Sequence, residues 1–339
     1  MTHTALNPNQ LAMVMDLNKC LGCQTCTVAC KNLWTTGEGQ QHMYWNHVET
    51  TPGRGYPRDW RAMGGGRSGD NLHPGQLPSC DDSYGHPARF NHSQVILNEG
   101  WKSTFLKPSA PDGSMPTWGP NWDEDQGSGQ FPNSYMFYLP RLCNHCEYPA
   151  CRDACPRAAI EKRASDGIVV VNQDRCNGYR FCAEACPYKK IFFDHLRQVA
   201  DKCIFCFPRV EQGIAPACAR MCPGRLRFVG RRGDSASSIH KLVEVWKVAL
   251  PLHPEYGTGP NVFYVPPLSP EAFDAQGRPT GQDRIPISEL VALFGESVHP
   301  ALATLRTERE KARQGQASEL MDLLIARDWH SNFKLGELH

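Results

Sequence analysis

The sequence lacks long apolar runs. None of its 339 residues lies in a stretch near the roughly 18 apolar residues that a membrane-spanning helix requires, which excludes a membrane span. It also lacks an excess of either charge: 36 Lys and Arg offset 35 Asp and Glu to a net +1, which argues against nucleic acid as a partner. The beginning, MTHTALNPNQ, has no basic segment followed by an apolar one, so we expect no secretory signal.

Cysteine, by contrast, is abundant and clustered. Of the 16 cysteines, all but Cys80 fall into four short groups. Their patterns are C-x2-C-x2-C-x3-C, C-x2-C-x4-C-x3-C-P, C-x5-C-x3-C-P and C-x2-C-x11-C-x3-C-P. In chain order the four groups are Cys20, Cys23, Cys26 and Cys30; Cys143, Cys146, Cys151 and Cys155; Cys176, Cys182 and Cys186; and Cys203, Cys206, Cys218 and Cys222.

Three chemistries use closely spaced cysteines. A disulfide framework is disfavoured because a chain of this length buries a core without covalent links. Structural zinc takes four ligands in a tetrahedron and does not require three close thiolates with a distant Cys-Pro. An iron–sulfur cubane accepts three ligands from one short loop, and the fourth cysteine of that loop ligates a second cluster. The four groups therefore indicate iron–sulfur clusters, and a zinc-binding interaction module is the distant alternative.

The third group is one ligand short. Four cubanes would need one more cysteine than the groups supply, and Tyr179 stands where group three should carry its second cysteine. We therefore predict three [4Fe–4S] clusters and one [3Fe–4S] cluster, with Tyr179 a non-ligand at the vacant iron position. The alternative is that Cys80 or Tyr179 completes a fourth cubane.

Ligand exchange between groups predicts which cysteines share a cluster. Groups two and three are neighbours in sequence, as in a two-cluster ferredoxin, and groups one and four are then the second pair. The predicted [4Fe–4S] sets are Cys20, Cys23, Cys26 and Cys222; Cys30, Cys203, Cys206 and Cys218; and Cys143, Cys146, Cys151 and Cys186; the predicted [3Fe–4S] set is Cys155, Cys176 and Cys182. The first two sets require residues far apart in sequence to meet.

The pattern around the cysteines predicts an α+β fold of two ferredoxin-like units related by pseudo-two-fold symmetry, formed by residues 10–33 and 141–230. Short strands are expected there, as in the apolar segment MVMDL before Cys20. Residues 34–140 read as a loop-rich insertion, and aromatic stretches such as YWNHVETTPGRGYP suggest an exposed subunit interface. The alternative is a loop that only covers the clusters. Residues 231–339 read as a C-terminal extension with helices, beginning in SSIHKLVEVWKVAL, that docks on a partner or on its own core.

These stretches resemble a known family. DLNKCLGCQTCTVACK, PRLCNHCEYPACRDACPR, CNGYRFCAEACPYKK and KCIFCFPRVEQGIAPAC, with KVALPLHPEYGTGPNVFYVPP, resemble the iron–sulfur beta subunits of the dimethyl sulfoxide reductase superfamily of molybdoenzymes. The resemblance is to the nitrate reductase–related branch, which contains ethylbenzene dehydrogenase, steroid C25 dehydrogenase, dimethyl sulfide dehydrogenase, selenate reductase and (per)chlorate reductase. Nitrate reductases typically carry Trp where this chain has Tyr179, which also favours a three-iron cluster.

The resemblance implies two partner subunits. An alpha subunit carries molybdenum with two pyranopterin guanine dinucleotides and its own [4Fe–4S] cluster, and a gamma subunit carries haem b. The cluster of Cys20, Cys23, Cys26 and Cys222 is implied to face the alpha subunit, and that of Cys155, Cys176 and Cys182 the haem. A periplasmic complex, exported with a signal-bearing alpha subunit, is expected; a cytoplasmic one is the alternative.

The expected function is therefore single-electron transfer in a non-catalytic subunit. We expect the complex to be a hydroxylating dehydrogenase of the ethylbenzene dehydrogenase type. The alternative is the same relay in a selenate, chlorate, perchlorate or nitrate reductase or in a dimethyl sulfide dehydrogenase, because the alpha subunit selects the substrate.

Overall fold

The structure, a computed structural model, describes residues 7–84, 127–327 and 330–335. Its strands are short and are spread along the whole chain. They are β1 Leu11–Asp16, β2 His47–Thr51, β3 Gly64–Ser68, β4 Asn71–Gly75, β5 Phe137–Arg141, β6 Ile160–Lys162, β7 Val169–Val171, β8 Phe192–Asp194, β9 Val199–Asp201, β10 Arg227–Arg231, β11 Leu250–Pro251, β12 Val262–Val265, β13 Glu271–Phe273, β14 Pro279–Asp283 and β15 Phe333–Lys334.

The helices are mostly short, and the longest, of 16 residues, lies in the C-terminal part of the chain. The α-helices are α1 Thr25–Trp34, α2 Ala150–Asp153, α3 Phe181–Ala185, α4 Phe207–Val210, α5 Ala217–Arg220, α6 Ser238–His240, α7 Ile287–Phe294, α8 Val298–Arg313 and α9 Glu319–Leu324. Other helical turns are Leu17–Lys19, Trp60–Met63, Cys80–Tyr84, Lys241–Val245, Pro254–Tyr256 and His330–Asn332. No helix in the described ranges is long and apolar enough to span a bilayer.

One five-stranded sheet holds distant parts of the chain together. Its order is β11-β12-β1-β10-β15, with β1 antiparallel to β10 and parallel to β12. All six residues of β1 are buried because both faces of this strand are covered. Met13 and Met15 belong to one hydrophobic core, whereas Ala12 and Val14 belong to the other, as the alternation of side chains along a strand requires. The predicted apolar segment before Cys20 is thus a central strand.

The remaining strands form antiparallel pairs: β2 with β5, β3 with β4, β6 with β7, β8 with β9 and β13 with β14. Helix α1 packs against α5, and α2 packs against α3. The mixture of short helices and strands agrees with the predicted α+β class. The pseudo-two-fold relation and the three domain boundaries stay predictions.

The aromatic residues of the insertion contradict one expectation. Tyr44, Trp45, Tyr56 and Trp60 are buried in the main core, with no more than 6% exposure, so the prediction that this stretch is exposed is wrong for them. Burial is favoured because each ring removes a large apolar area from water. Residues 85–126 of the insertion lie outside the described residues.

The C-terminal extension packs on the chain's own core. Helix α7 and the first turns of α8 add Leu293, Phe294 and Val298 to the main core, and α9 adds Leu320 and Leu324 to the second. The predicted helix in SSIHKLVEVWKVAL is shorter than expected: α6 continues only through the turn Lys241–Val245 before the chain becomes extended at β11.

Candidate metal centres

Strand pairing brings cysteine groups one and four together. Strand β1 leads into Cys20 and β10 begins just after Cys222, and the two strands are antiparallel with Met15 opposite Arg227. The end of one strand therefore lies beside the start of the other. The meeting of distant residues that the cluster prediction required is a consequence of this sheet.

Four predicted ligands surround each of two cavities at this junction. The Cys20 cavity, of about 320 Å³, is lined by Cys20, Cys23, Cys26 and Cys222. The Cys30 cavity, of about 310 Å³, is lined by Cys30, Cys203, Cys206 and Cys218. Helix α1 carries Cys26 and Cys30 one turn apart, so it contributes to both cavities.

A third cavity lies in the part of the chain formed by groups two and three. The Cys143 cavity, of about 360 Å³, is lined by Cys143, Cys146, Cys151 and Cys186. Helix α2 carries Cys151, and Cys186 follows directly after α3. The packing of these two helices joins group two to the last cysteine of group three.

The remaining three cysteines also lie near one another. Burial and the nearby sulfurs of Cys176 and Cys155 raise the pKa of the Cys182 thiol to about 12. Backbone N–H groups donate to two of the sulfurs, Ala159 to Cys155 at 3.3 Å and Ala200 to Cys176 at 3.4 Å. The structure thus brings the members of every predicted set together, while their role as ligands stays a prediction.

The backbone turns in the same way in all four groups. The residue two positions after the first cysteine has a positive φ in each: Gly22 at 66°, His145 at 42°, Gly178 at 70° and Phe205 at 55°. This left-handed conformation reverses the chain locally so that a C-x2-C pair can face one point, and it is costly for residues other than glycine. Tyr179 follows Gly178 as Cys23 follows Gly22. The group-three loop therefore has the cysteine-loop conformation at the position where cysteine is missing.

Tyr179 is half exposed, at 55%, and stacks on Phe181 with 6.3 Å between ring centroids. Cys80, the other candidate in the alternative, is absent from the lining of the three cavities, and its sulfur lies 3.2 Å from Nε2 of His195. No disulfide joins any two cysteines in the described residues, which makes the disulfide alternative wrong. In the described ranges, no three His, Cys, Asp or Glu side chains are placed to hold a single metal ion.

The buried thiols have the chemistry of ligands that need a metal. Burial raises the pKa of Cys20 to about 11 and that of Cys218 to about 12. Thiols with such pKa values are protonated near neutral pH, whereas coordination to a metal centre deprotonates a thiol outright. Several of these sulfurs crowd one small space, and the iron of a cluster would supply the positive charge that such a set of thiolates requires.

N–H donors line the Cys30 cavity, and two of them have no acceptor among the described residues. The Trp34 indole N–H donates to Cys206 Sγ at 3.1 Å. Trp45 Nε1 and both side-chain polar atoms of Asn46 are buried, line or adjoin this cavity, and have no hydrogen-bond partner among the described residues. An unsatisfied buried donor is costly. The sulfur atoms of an iron–sulfur cluster would accept these N–H groups, so the residues present fit such a cluster.

A buried charged network that has no signal in the sequence lies beside the Cys143 cavity. Glu49 Oε2 accepts from Arg141 at 2.9 Å and lies 3.0 Å from His47 Nε2, and Lys190 Nζ lies 2.7 Å from His47 Nδ1. Burial raises the pKa of the Glu49 carboxyl, but Arg141, His47 and Lys190 oppose this effect and hold the pKa well below its usual range. Lys190 also lines the cavity. These residues are scattered along the chain, so no spacing could have marked them.

His145, the histidine inside group two, is buried. Its Nδ1 accepts from the Val169 N–H at 3.1 Å, and its ring contacts Phe205 edge-on. It therefore orders the loop between Cys143 and Cys146.

Comparisons with known proteins agree with this chemistry. Residues 134–232 match the family of 4Fe-4S dicluster domains. The chain is 53% identical to the dimethylsulfide dehydrogenase subunit beta of Rhodovulum sulfidophilum, over 96% of this chain and 99% of that protein. It is 55% identical to the chlorate reductase subunit beta of Ideonella dechloratans and 54% identical to the selenate reductase subunit beta of Thauera selenatis, each over 94% of this chain and 97% of the relative. The chain therefore belongs to the iron–sulfur beta subunits of the dimethyl sulfoxide reductase superfamily of molybdoenzymes, in the nitrate reductase–related branch.

Proposed function

We propose that this electron-transfer subunit relays single electrons through three [4Fe–4S] clusters and one [3Fe–4S] cluster, between a molybdenum alpha subunit and a haem b gamma subunit. The observation that supports the proposal most is that three of the predicted four-cysteine sets each line one cavity. When bound, each cluster accepts and releases one electron. The chain contributes no substrate chemistry of its own; it fixes the positions of the clusters and their surroundings.

The protein side of the relay is the placement of thiolates and the exclusion of water. Cysteines hold the clusters, and side chains such as Met13, Leu142 and Phe205 close the Cys30 cavity with apolar surface. N–H donors such as Trp34 donate hydrogen bonds to the ligand sulfurs. Hydrogen bonds, charge and burial set the potential of a cluster, so these residues decide how readily each site passes an electron.

The ligand assignment is tested by replacing Cys155 with Ser in the purified holo-complex. We expect the three-iron EPR signal to disappear first, because Cys155 belongs to that set with Cys176 and Cys182. Loss of the Cys143 cluster alone, with the three-iron signal intact, would show that the pairing of groups two and three is wrong. Cys80→Ser is the matched control, since Cys80 is not among the sulfurs that act on Cys182 and its own sulfur lies 3.2 Å from His195 Nε2; it should leave all signals unchanged.

For the whole complex we propose a hydroxylating dehydrogenase of the ethylbenzene dehydrogenase type, in which electrons run from molybdenum to haem. The second candidate is an oxyanion reductase or dimethyl sulfide dehydrogenase, favoured by identities of 53–55% to beta subunits with those names. Turnover of ethylbenzene, a sterol, dimethyl sulfide, selenate and chlorate by the purified complex discriminates between them. Activity on selenate or chlorate alone, without hydrocarbon oxidation, contradicts the first candidate.

We also propose a periplasmic complex, exported with the alpha subunit, the alternative being a cytoplasmic one. The support is the resemblance to a branch whose complexes are usually periplasmic. Cell fractionation with this chain detected by antibody tests the location. Co-purification of a subunit with a haem b spectrum tests the gamma partner; a pure two-subunit complex without haem contradicts it.

A further inference from the structure

Arg227 is a buried cation with sulfur neighbours in place of a carboxylate. It begins β10, and only 1% of it is exposed. Its Nη2 lies 3.3 Å from Cys26 Sγ and its Nη1 lies 3.8 Å from Met13 Sδ. Its Nε has no hydrogen-bond partner, and the side chain forms no salt bridge, within the described part of the chain. Arg227 also lines the Cys20 cavity.

An isolated buried guanidinium is strongly disfavoured, and arginine does not escape the cost by losing its proton. The groups that would act on Arg227 as cluster-bound thiolates are cysteine sulfurs: that of Cys26 most strongly, then those of Cys218, Cys222 and Cys20. Three of the four belong to the set around the Cys20 cavity. The charge of Arg227 is therefore balanced by ligands of the proposed clusters, chiefly those of the Cys20 cavity.

Resting on the proposed cluster at Cys20, Cys23, Cys26 and Cys222, we propose that Arg227 raises the reduction potential of that cluster. Reduction adds one electron, and hence one negative charge, to the cluster without a proton. A fixed cation in contact with the Cys26 sulfur stabilises the reduced form more than the oxidised form. Arg227 also acts on the neighbouring cluster at the Cys30 cavity, through Cys218, but more weakly, because in the described part of the chain it hydrogen-bonds to the Cys26 sulfur and to no sulfur of that set.

A purely structural role predicts something different. If Arg227 only filled space, an uncharged replacement would change the iron content or stability and leave the potentials of the assembled clusters unchanged. The measured midpoint potential of each cluster therefore separates the two roles.

The experiment is an EPR-monitored redox titration of the purified holo-complex carrying Arg227→Gln. Glutamine keeps polar character but removes the charge. The signal of the Cys20 cluster is identified as the one altered by Cys23→Ser, because Cys23 is its exposed ligand. Arg231→Gln is the matched control: it lies on the same strand and binds the Leu335 carbonyl and Asn9, away from the cysteines.

In Arg227→Gln we expect the equilibrium constant for one-electron reduction of the Cys20 cluster to fall at least tenfold. Its midpoint potential then falls by at least about 59 mV. The Cys30 cluster should shift less, while the other two clusters and the Arg231→Gln variant keep wild-type values. A fully iron-loaded variant with four wild-type midpoints overturns the proposal, as does an equal shift of all four. If Arg227→Gln does not assemble, Arg227→Met decides: its unbranched side chain removes the charge and still fills the buried space, so the same fall at the Cys20 cluster is expected, and a wild-type midpoint overturns the proposal.

The proposal can fail without the proposed function. Unmoved midpoints in a complex with all its clusters reject the role of Arg227 alone. A Cys23→Ser complex in which every iron–sulfur signal matches that of the wild type rejects the cluster assignment itself.

Discussion

Trp34 offers a direct test of how the protein acts on a cluster. It is the last residue of α1, and its indole N–H donates to Cys206 Sγ across 3.1 Å at the edge of the Cys30 cavity. Replacing it with Phe keeps an aromatic ring and removes the donor. We expect the cluster proposed at Cys30, Cys203, Cys206 and Cys218 to become harder to reduce.

The size of the effect follows from the hydrogen bond. A hydrogen bond to a charged acceptor contributes about 1.5–3 kcal/mol, and only part of that changes when the sulfur gains electron density. Taking about 1 kcal/mol as the part that depends on oxidation state, and about 1.4 kcal/mol or 59 mV per tenfold change, the midpoint potential should fall by about 40 mV.

The assay is an EPR redox titration of the holo-complex with Trp34→Phe, compared with Trp246→Phe. Trp246 follows the helical turn Lys241–Val245 and packs against the second core, away from the cysteine cavities. The control should show four wild-type potentials. A Trp34→Phe complex with full iron content and an unchanged or raised potential at this cluster would refute the idea that the indole N–H stabilises the reduced form.

Two further predictions concern other residues. Tyr179→Cys, in the loop that repeats the cysteine-loop conformation, should convert the three-iron site to a four-iron site on reconstitution; persistence of the three-iron EPR signal in the reconstituted variant counts against the assignment. Glu49→Gln breaks the buried pair with Arg141 and should destabilise the fold by about 3–5 kcal/mol, measured by urea unfolding, whereas Glu310→Gln at an exposed pair should cost about 0–1 kcal/mol. Because the folded pKa of Glu49 is depressed, its stabilisation is present above the unfolded pKa near 4.5 and is lost as pH falls toward the folded value. Stabilisation by Glu49 that disappears as the pH rises above roughly 6 would contradict the expected direction of this pH dependence.

The spacing of the cysteines along the chain predicted most of the candidate metal centres. The four cysteine groups and their exchange of ligands predicted sets that meet in space, because each C-x2-C loop is a local structure and the exchange rule follows from cluster size. The strand before Cys20 was also readable from its apolar run, but its partner β10 was not, since strand pairing depends on distant residues.

What the sequence could not predict depends on burial. Tyr44 and Trp45 read as exposed aromatics, yet they lie in the core, because a loop-rich segment can fold inward where a cluster site needs cover. Arg227 and Glu49 carried no spacing signal, since an isolated charged residue in a sequence is normally on the surface. The contacts that distinguish them, of Arg227 with the Cys26 sulfur and of Glu49 with the Arg141 guanidinium, form only in the folded chain.

We predict that this chain holds a relay of three cubanes and one three-iron cluster. Iron, sulfide and zinc analysis of the cluster-loaded polypeptide, purified without oxygen, tests it most directly. We expect about 15 iron atoms per chain and no stoichiometric zinc. A chain that binds zinc and no iron would contradict the relay, and about 16 iron atoms would contradict the three-iron site.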